Sequence, residues 1–575
     1  MGYVLKGGQK MKLTGAQIFV ECLKEQGADV IFGYPGGTIL PIYDELYNTS
    51  DIRHILTAHE QWAAHAADGY ARSTGKVGVV LATSGPGATN TVTGIATAYM
   101  DSVPIVVFTG QVPLPILGRS SFQEVDITNM THAVTKRNYI VKDVKKLAQT
   151  IREAFKIARS GRPGPVLVEI PKDVQTDSAE YEAAIIDTSN KRIEWDFHKD
   201  EWNQETLRRN LDKALEAINS SERPLIYAGG GVIIAEANNE LMDFAKKIKS
   251  PVACSLMGMG AFPQDNSFYT GLIGMHGTRA SNRAVNACDL LIAIGARFSD
   301  RVVGKVSTFA PNAKVIHIDI DPDELGKNIF AHIPLCGHLK NVLSSLIDRI
   351  NEKNITQWNE QIDEWKGIFP PKFKNRHTLN PHYIIEKLSE LTQGKCIITT
   401  EVGQNQMWTA QSYVFKEPRT FISSGGLGTM GYGLPAAIGA CIANPHKKII
   451  NVAGDGCFRM NSIELATVSR YNLPILQLVI NNHALGMVRQ WQDLFYKKKF
   501  NSTKLGNEVD FIKLANSYGI SAIKITSDEE VEESLKKALN MNKPVVVECV
   551  IDEGEMVFPI VPPGGSLHDA IEDHG

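Results

Sequence analysis

Lys448-Ile449-Ile450-Asn451-Val452-Ala453 runs into Gly454-Asp455-Gly456, and Pro474-Ile475-Leu476-Gln477-Leu478-Val479-Ile480 runs into Asn481-Asn482. Each apolar run, rich in β-branched residues and closed by turn residues, predicts a strand buried on both faces. Between them, Cys457 to Tyr471 has the length and apolar spacing of one crossover helix. A strand-helix-strand unit of this kind is nearly always right-handed with parallel strands, so both carboxyl ends emerge at one edge of the sheet. Asp455 and Asn482 then stand side by side as hard oxygen ligands beside the N–H groups of a glycine turn. One carboxylate, one amide carbonyl and a shared diphosphate suit Mg²⁺.

Outward from this unit, strands and helices alternate along the whole chain, the pattern of an α/β protein whose parallel sheets are covered on both faces. Three blocks are expected, each a doubly wound parallel sheet, over residues 12–176, 195–350 and 378–575. In the first, strands near Val30-Phe32, Arg53-Thr57, Val77-Leu81, Ile105-Thr109 and Val166-Ile170 end in Gly- and Pro-rich loops such as Gly33-Tyr34-Pro35-Gly36-Gly37 and Ser84-Gly85-Pro86-Gly87. In the third, the strand-end loops read Glu401-Val402-Gly403-Gln404, Ser424-Gly425-Gly426-Leu427-Gly428, Gly454-Asp455-Gly456 and Asn481-Asn482. The two outer blocks share a rhythm, as if one module were used twice. Charged residues thicken from about 176 to 215, which reads as a linker, and the polar stretch Asn351 to Arg376 leads into the third block. Lys12-Leu13-Thr14-Gly15 is expected to open the first helix.

Bulk properties bound the function. A chain of 575 residues exceeds a single core, and 43% apolar with 21% charged residues is ordinary for a globular protein. The net charge of −3 supplies no field for nucleic acid or an acidic membrane surface. No apolar run approaches the roughly 20 residues that span a bilayer. The N-terminal stretch has neither a signal-peptide apolar segment nor an Arg/Ser-rich transit pattern. Eight cysteines are scattered without a Cys-x-x-Cys pair, which argues against structural zinc and a disulfide framework and for a reducing cytoplasm.

The metal unit has the spacing of the thiamine diphosphate signature, and Glu60 supplies a second chemical element. It follows the strand Ile52 to Thr57 and opens a helix beginning Gln61-Trp62-Ala63-Ala64. Taken alone it is a first-turn acid placed well against a helix dipole. Beside a thiamine cofactor it becomes the carboxyl group that the aminopyrimidine ring needs.

Leu13 to Gln175, Pro224 to Asn328 and Cys396 to Pro562 resemble the catalytic subunit of acetohydroxyacid synthase, also called acetolactate synthase. The phrases that carry the likeness are Gly33-Tyr34-Pro35-Gly36-Gly37, His59-Glu60, Ser121-Phe122-Gln123-Glu124, Arg162-Pro163-Gly164-Pro165, Pro171-Lys172-Asp173 and Leu485-Gly486-Met487-Val488-Arg489-Gln490-Trp491. They are more specific than the metal signature, which all thiamine enzymes share. The resemblance implies three domains of the thiamine diphosphate-enzyme type.

By that similarity Glu60 activates the cofactor, and Asp455, Asn482 and the backbone carbonyl of Ala484 hold Mg²⁺. Val402, Gly403, Gln404 and Asn405, with Gly456 and Cys457, would contact the diphosphate, Met430 the pyrimidine, and Met487 the bend of the cofactor. Phe122, Gln123 and Lys172 would face the substrate, and Trp491 would favour 2-ketobutyrate over pyruvate, an effect of about 1–3 kcal/mol for one methylene. Arg162, Met275, His276, Gly295, Arg297, Asp300, Arg301, Asp319 and Ile320 would bind FAD, held without a redox task. Asn405 replaces a His common in the family, Ser299 stands where a second Asp is usual, and Cys457 follows the glycine turn.

The implied reaction decarboxylates pyruvate and joins the two-carbon unit to pyruvate or 2-ketobutyrate, giving 2-acetolactate or 2-aceto-2-hydroxybutyrate for branched-chain amino acid synthesis. A homodimer or tetramer with sites between subunits is implied, and so is a separate regulatory small subunit. The alternatives are pyruvate oxidase or another thiamine-dependent 2-oxoacid decarboxylase, an FAD-free catabolic acetolactate synthase, and a non-catalytic nucleotide-binding scaffold. An NAD-dependent dehydrogenase would rest on Gly229-Gly230-Gly231 alone.

Overall fold

The computed structural model describes residues 10–184, 202–367 and 379–573. Three six-stranded sheets, parallel throughout, organise the chain. The first block contains β1 (Lys10–Thr14), β2 (Val30–Tyr34), β3 (Arg53–Leu56), β4 (Gly78–Ala82), β5 (Ile105–Gln111), β6 (Arg137–Ile140), β7 (Val166–Pro171) and β8 (Ser178–Glu182). Its sheet runs β3-β2-β4-β5-β7-β6, while β1 and β8 form a separate antiparallel pair. The middle block has β9 (Pro224–Ala228), β10 (Val252–Cys254), β11 (Tyr269–Leu272), β12 (Leu290–Ile294), β13 (Lys314–Asp319) and β14 (Ile333–Cys336), ordered β11-β10-β9-β12-β13-β14. The third has β15 (Ile397–Thr400), β16 (Phe421–Ile422), β17 (Ile449–Gly454), β18 (Ile475–Asn481), β19 (Ser521–Ile525) and β20 (Val545–Val550), ordered β16-β15-β17-β18-β20-β19.

Counted within each sheet, both outer blocks run 2-1-3-4-6-5, so one module is indeed used twice, and the middle block runs 3-2-1-4-5-6. In such sheets ligands bind outside the carboxyl ends where the strand order reverses. That crevice lies between β15 and β17 in the third block, between β2 and β4 in the first, and between β9 and β12 in the middle one. β17 and β18 pair from Ile449↔Ile475 to Gly454↔Ile480. Every residue of β18 is buried, as its unbroken apolar run requires.

The outer blocks also share a core. Phe32 and Ile95 of the first pack in one cluster with Ile438 and Val479 of the third. The helix Glu60–Thr74 crosses the helix Gly433–Ala443 at backbone contact. A Cβ on Gly439 would lie 1.8 Å from the Ala66 carbonyl oxygen, and one on Gly69 would lie 2.1 Å from that of Ala436.

Four local expectations are corrected. The crossover from Cys457 to Tyr471 is a helix Asp455–Asn461, a 3-10 turn Ser462–Glu464 and a helix Leu465–Arg470. It breaks where Asn461 turns its amide inward to Glu401 and to the Gly431 carbonyl. The supposed linker from 176 to 215 contains β8 and the start of a helix Gln204–Ser220, and the stretch 351–376 contains the helix Thr356–Gly367. That helix is polar apart from Trp358, Ile362 and Trp365, so its composition hid it. Lys12 and Leu13 are in a strand; Thr14 caps the first helix, Gly15–Glu25. Sheet β6, an edge strand without an apolar run, was not foreseen. The expected block edges at 195, 378 and 575 lie outside the described residues. No helix among the described residues is long and apolar enough to cross a membrane, and all eight cysteines are buried with no disulfide between them.

Candidate active site

At the carboxyl edge of the third sheet, two helix N-termini face one crevice. After β15, Gly403 adopts φ +137°, a conformation open to glycine, and the helix Gln404–Ser412 begins. After β17, Asp455 is itself the first residue of the helix Asp455–Asn461. The first N–H groups of a helix lack intrahelical partners, and two such ends side by side suit an anion. The sequence-predicted group Val402, Gly403, Gln404, Asn405, Gly456 and Cys457 lies on these two turns.

Asp455 is 1% exposed, and neither carboxylate oxygen accepts a hydrogen bond. Burial pushes its pKa up to about 7. Two orphaned, desolvated anionic oxygens are costly unless a cation takes them up, so they fit a metal. Asn482 emerges on the adjacent strand, as expected. Its Oδ1 accepts from the Ala484 N–H at 3.3 Å and its Nδ2 donates to Gln404 Oε1 at 3.0 Å. The site offers one carboxylate, one amide oxygen and a loop carbonyl, the hard oxygens of Mg²⁺. Among the described residues no group of three His, Cys, Asp or Glu side chains is placed to hold a metal ion.

The remaining predicted residues of this edge converge. A Cβ on Gly456 would meet Leu485 Cδ2 at 2.7 Å and Met430 Cε at 3.8 Å, so Met430 leans over the glycine turn. Met487 is half-buried against the third block's core. Asn405 donates both amide hydrogens to carbonyls, those of Glu401 (3.1 Å) and Val452 (2.9 Å). Cys457 Sγ lies 3.1 Å from the Val402 carbonyl, joining the two turns, and burial pushes that thiol up.

A second cluster forms at the carboxyl edge of the first sheet. Glu60, 9% exposed, accepts at Oε2 from Asn90 Nδ2 at 2.9 Å. A Cβ on Gly87 would come within 3.2 Å of Glu60 Oε1, and one on Gly85 within 2.9 Å of the Gln123 backbone. Gln123 holds φ +59°, and Phe122 beside it is 87% exposed. Lys172 opens the short helix Lys172–Thr176 directly after β7.

In the middle block, the glycines after β9 pack onto the turn after β12. Gly295 has φ +56°, and a Cβ on Gly229 would lie 2.2 Å from the Gly295 carbonyl oxygen. The triple glycine therefore has a packing reason at the topological switch point. Met275, Asp300 and Arg301 line a cleft of about 150 Å³ with the tail residues Val561 to Gly564. His276 bonds the Pro559 carbonyl at 3.0 Å, and burial holds its pKa down at about 4. Asp319, at the end of β13, is pushed up to about 6 by burial. Ile320 and Arg297 follow β13 and β12. Arg301 stacks over the Trp491 ring at 5.7 Å, linking this block to the third. Arg162 bridges blocks differently: it pairs with Glu324 (2.9 Å) and Asp321 (3.3 Å) and donates to Ser102 (2.8 Å).

Sequence reasoning missed Asn90, Glu401 and Glu464. Glu401 is fully buried, and its carboxylate accepts from the N–H groups of Gly431 (2.9 Å) and Leu434 (3.2 Å). Glu464, pushed up to about 7 by burial, accepts from the Ala58 N–H at 2.7 Å, two residues before Glu60. A carboxylate ending a buried strand was the visible signal for Glu401; the other two had none.

Comparison with known proteins agrees with this geometry. The chain matches the thiamine pyrophosphate enzyme N-terminal TPP binding domain over residues 13–130, the central domain over 211–346 and the C-terminal TPP binding domain over 401–549. It is 47% identical to the probable acetolactate synthase large subunit of Methanocaldococcus jannaschii, over 97% of this chain and 95% of that one. It is 45% identical to the acetolactate synthase isozyme 2 large subunit of Escherichia coli K12 (97% and 100% covered). Against the acetolactate synthase large subunit of Haemophilus influenzae it is 42% identical (97% and 98%). The chain belongs to the acetolactate synthase large-subunit family of thiamine pyrophosphate enzymes.

Proposed function

We propose that the protein is an acetolactate synthase that takes pyruvate and condenses its two-carbon unit with pyruvate or 2-ketobutyrate. Asp455, with both oxygens unpartnered at the switch point of the third sheet, is the observation that carries the reading. Asp455, Asn482 and the Ala484 carbonyl would hold Mg²⁺, and the N-termini after Gly403 and Gly454 would hold the diphosphate. Bound there, thiamine diphosphate supplies the electron sink that lets a 2-oxoacid release CO₂.

The chain's own residues do the rest. Glu60 keeps Oε2 on Asn90, leaving Oε1 to hold or give up a proton. Met430 and Met487 shape the apolar walls of the crevice. Gln123 and Lys172 would offer donors to the substrate, Phe122 would supply an apolar face beside them, and Trp491, braced by Arg301, would bound the pocket of the second 2-oxoacid. The middle block would hold FAD at its switch point, where Gly295 and the triple glycine keep the backbone close.

The Glu60 and Asp455 clusters sit on different modules, which supports a site completed by a second copy in a homodimer or tetramer. The relatives' printed names, large subunit, support a separate small subunit carrying regulation. A cytoplasmic setting fits eight buried cysteines that form no disulfide. The test is purified protein with thiamine diphosphate, Mg²⁺ and FAD, given pyruvate and 2-ketobutyrate together, with both acetohydroxyacids quantified. Formation of acetyl phosphate or peroxide in their place would overturn this reading in favour of a pyruvate oxidase.

A further inference from the structure

Three modules meet at Gly425-Gly426, the start of the segment that delivers Met430. Asp101, at the end of the helix Val92–Met100 in the first block, accepts the Gly426 N–H at Oδ1 (2.7 Å) and the Gly425 N–H at Oδ2 (3.2 Å). Its Oδ2 also pairs with Arg72 Nη2 at 2.9 Å. Arg72, on the helix that Glu60 opens, donates to the Ser423 carbonyl at 3.0 Å and to Asp68 at 2.6 Å. The Asp101 and Asp68 side chains have no exposed surface. From the same face Thr97 Oγ1 bonds Thr429 Oγ1 at 2.8 Å.

Contact at this seam is close. A Cβ on Gly426 would lie 2.6 Å from Asp101 Oδ1, and one on Gly425 would lie 2.3 Å from Met257 Sδ of the middle block. On the far side of Met430, Glu401 takes the N–H groups of Gly431 and Leu434. Met430 is thus bracketed by two carboxylate-anchored backbone segments, one anchored from its own block and one from the first.

A loop with Gly425, Gly426 and Gly428 has high conformational entropy and few preferred states of its own. An ion pair this buried adds little net stability but fixes geometry, because three donors from two blocks hold the Asp101 carboxylate. We propose that Asp101, oriented by Arg72, is a positioning residue for thiamine diphosphate: from the first module it sets the segment 423–429 so that Met430 meets the cofactor. This rests on the reading that Met430 contacts the cofactor, and it adds an unassigned residue on another module that decides whether it does.

The test is Asp101→Asn in the full chain, which keeps the shape and removes the charge and one acceptor. The half-saturating concentration of thiamine diphosphate should rise about tenfold, the weight of one charge-assisted hydrogen bond, with kcat retained at saturating cofactor. In the cofactor-free protein, amide deuterium exchange should speed up in 423–429 and stay unchanged in 449–457. An unchanged half-saturation, or equal loosening of both segments, would overturn the proposal. Thr97→Val, which removes the Thr429 tie together with a hydrogen bond to the Thr93 carbonyl within its own helix, leaves the Asp101 contacts in place; it should move both readouts the same way by less and serves if Asp101→Asn does not fold. Met430→Ala separates the two ideas: wild-type cofactor half-saturation in that variant sinks the Met430 contact, whereas the exchange result reports on Asp101 by itself.

Discussion

Asn482 Nδ2 donates to Gln404 Oε1 at 3.0 Å, joining the loops that leave β18 and β15 above the strand end that carries Asp455. Gln404 is in turn tied through Nε2 to Gln490 Oε1 (3.0 Å) and the Glu555 carbonyl (2.8 Å). The loops on either side of Asp455 are therefore tied together before any ligand arrives, while both oxygens of the carboxylate between them lack partners. Such a site is preorganised for a cation and pays for it in the stability of the ligand-free protein.

Asp455→Asn should consequently act with opposite signs. Without Mg²⁺ and cofactor the variant should be more heat-stable than the parent, because a buried, unpartnered ionisable group worth about 1–3 kcal/mol has gone. Its activity should need at least about 100-fold more Mg²⁺, more than is lost when a residue that only orients a metal ligand is removed. Thermal melts with and without Mg²⁺ check the first point, and a metal titration of acetolactate formation checks the second. A variant less stable in both conditions would count against the metal assignment.

Glu60→Gln should lower turnover by about 10²–10⁴-fold, the range for a lost acid–base group, while leaving the fold and the Asn90 hydrogen bond in place. Circular dichroism and pyruvate consumption measured together decide this. Near-parental turnover would remove Glu60 from the chemistry.

Gly439→Ala should destabilise by about 3 kcal/mol or more, since the new methyl would press on the Ala66 carbonyl oxygen and neither helix backbone can yield cheaply. Because the opposing helix begins at Glu60, activity should fall with stability. Urea unfolding of the variant gives the measurement, and a midpoint equal to the parent's would refute close packing of these helices.

Glu169 lies on β7, 2% exposed, with Gln111 Nε2 at 2.7 Å as its partner. Burial, with the nearby Asp126 and Glu124 carboxylates, pushes it from its ordinary 4.5 up to about 8. Between those values the native protein keeps a proton that the unfolded chain has released, so stability falls as pH rises through that window. Glu169→Gln keeps an acceptor for Gln111 and has no charge to bury. The melting temperature of the variant relative to the parent should therefore become more positive from pH 5 to about pH 8, near the shifted value. A difference independent of pH would show that Glu169 is ionised in the fold.

Continuous apolar runs made β17 and β18 legible, because a strand buried on both faces needs no partner to reveal itself. The same local logic placed Glu60 at a helix start and Asp455 and Asn482 on neighbouring strand ends. It failed where a side chain overrode the pattern. Asn461 turned inward and broke the crossover helix, and Trp358 with Ile362 buried one face of a helix that is mostly polar.

What residue order alone determined is the set of strand-end loops and the chemistry each one carries, since hydrophobic period and turn residues act over a few positions. Tertiary structure decided which of those loops meet. Ala58 finds Glu464, Arg72 finds Ser423, and Asp101 finds Gly425 and Gly426, each pair separated by more than 300 residues. A buried polar group accepts whichever partner the packing of helices and sheets brings to it, and that packing is a property of the whole fold.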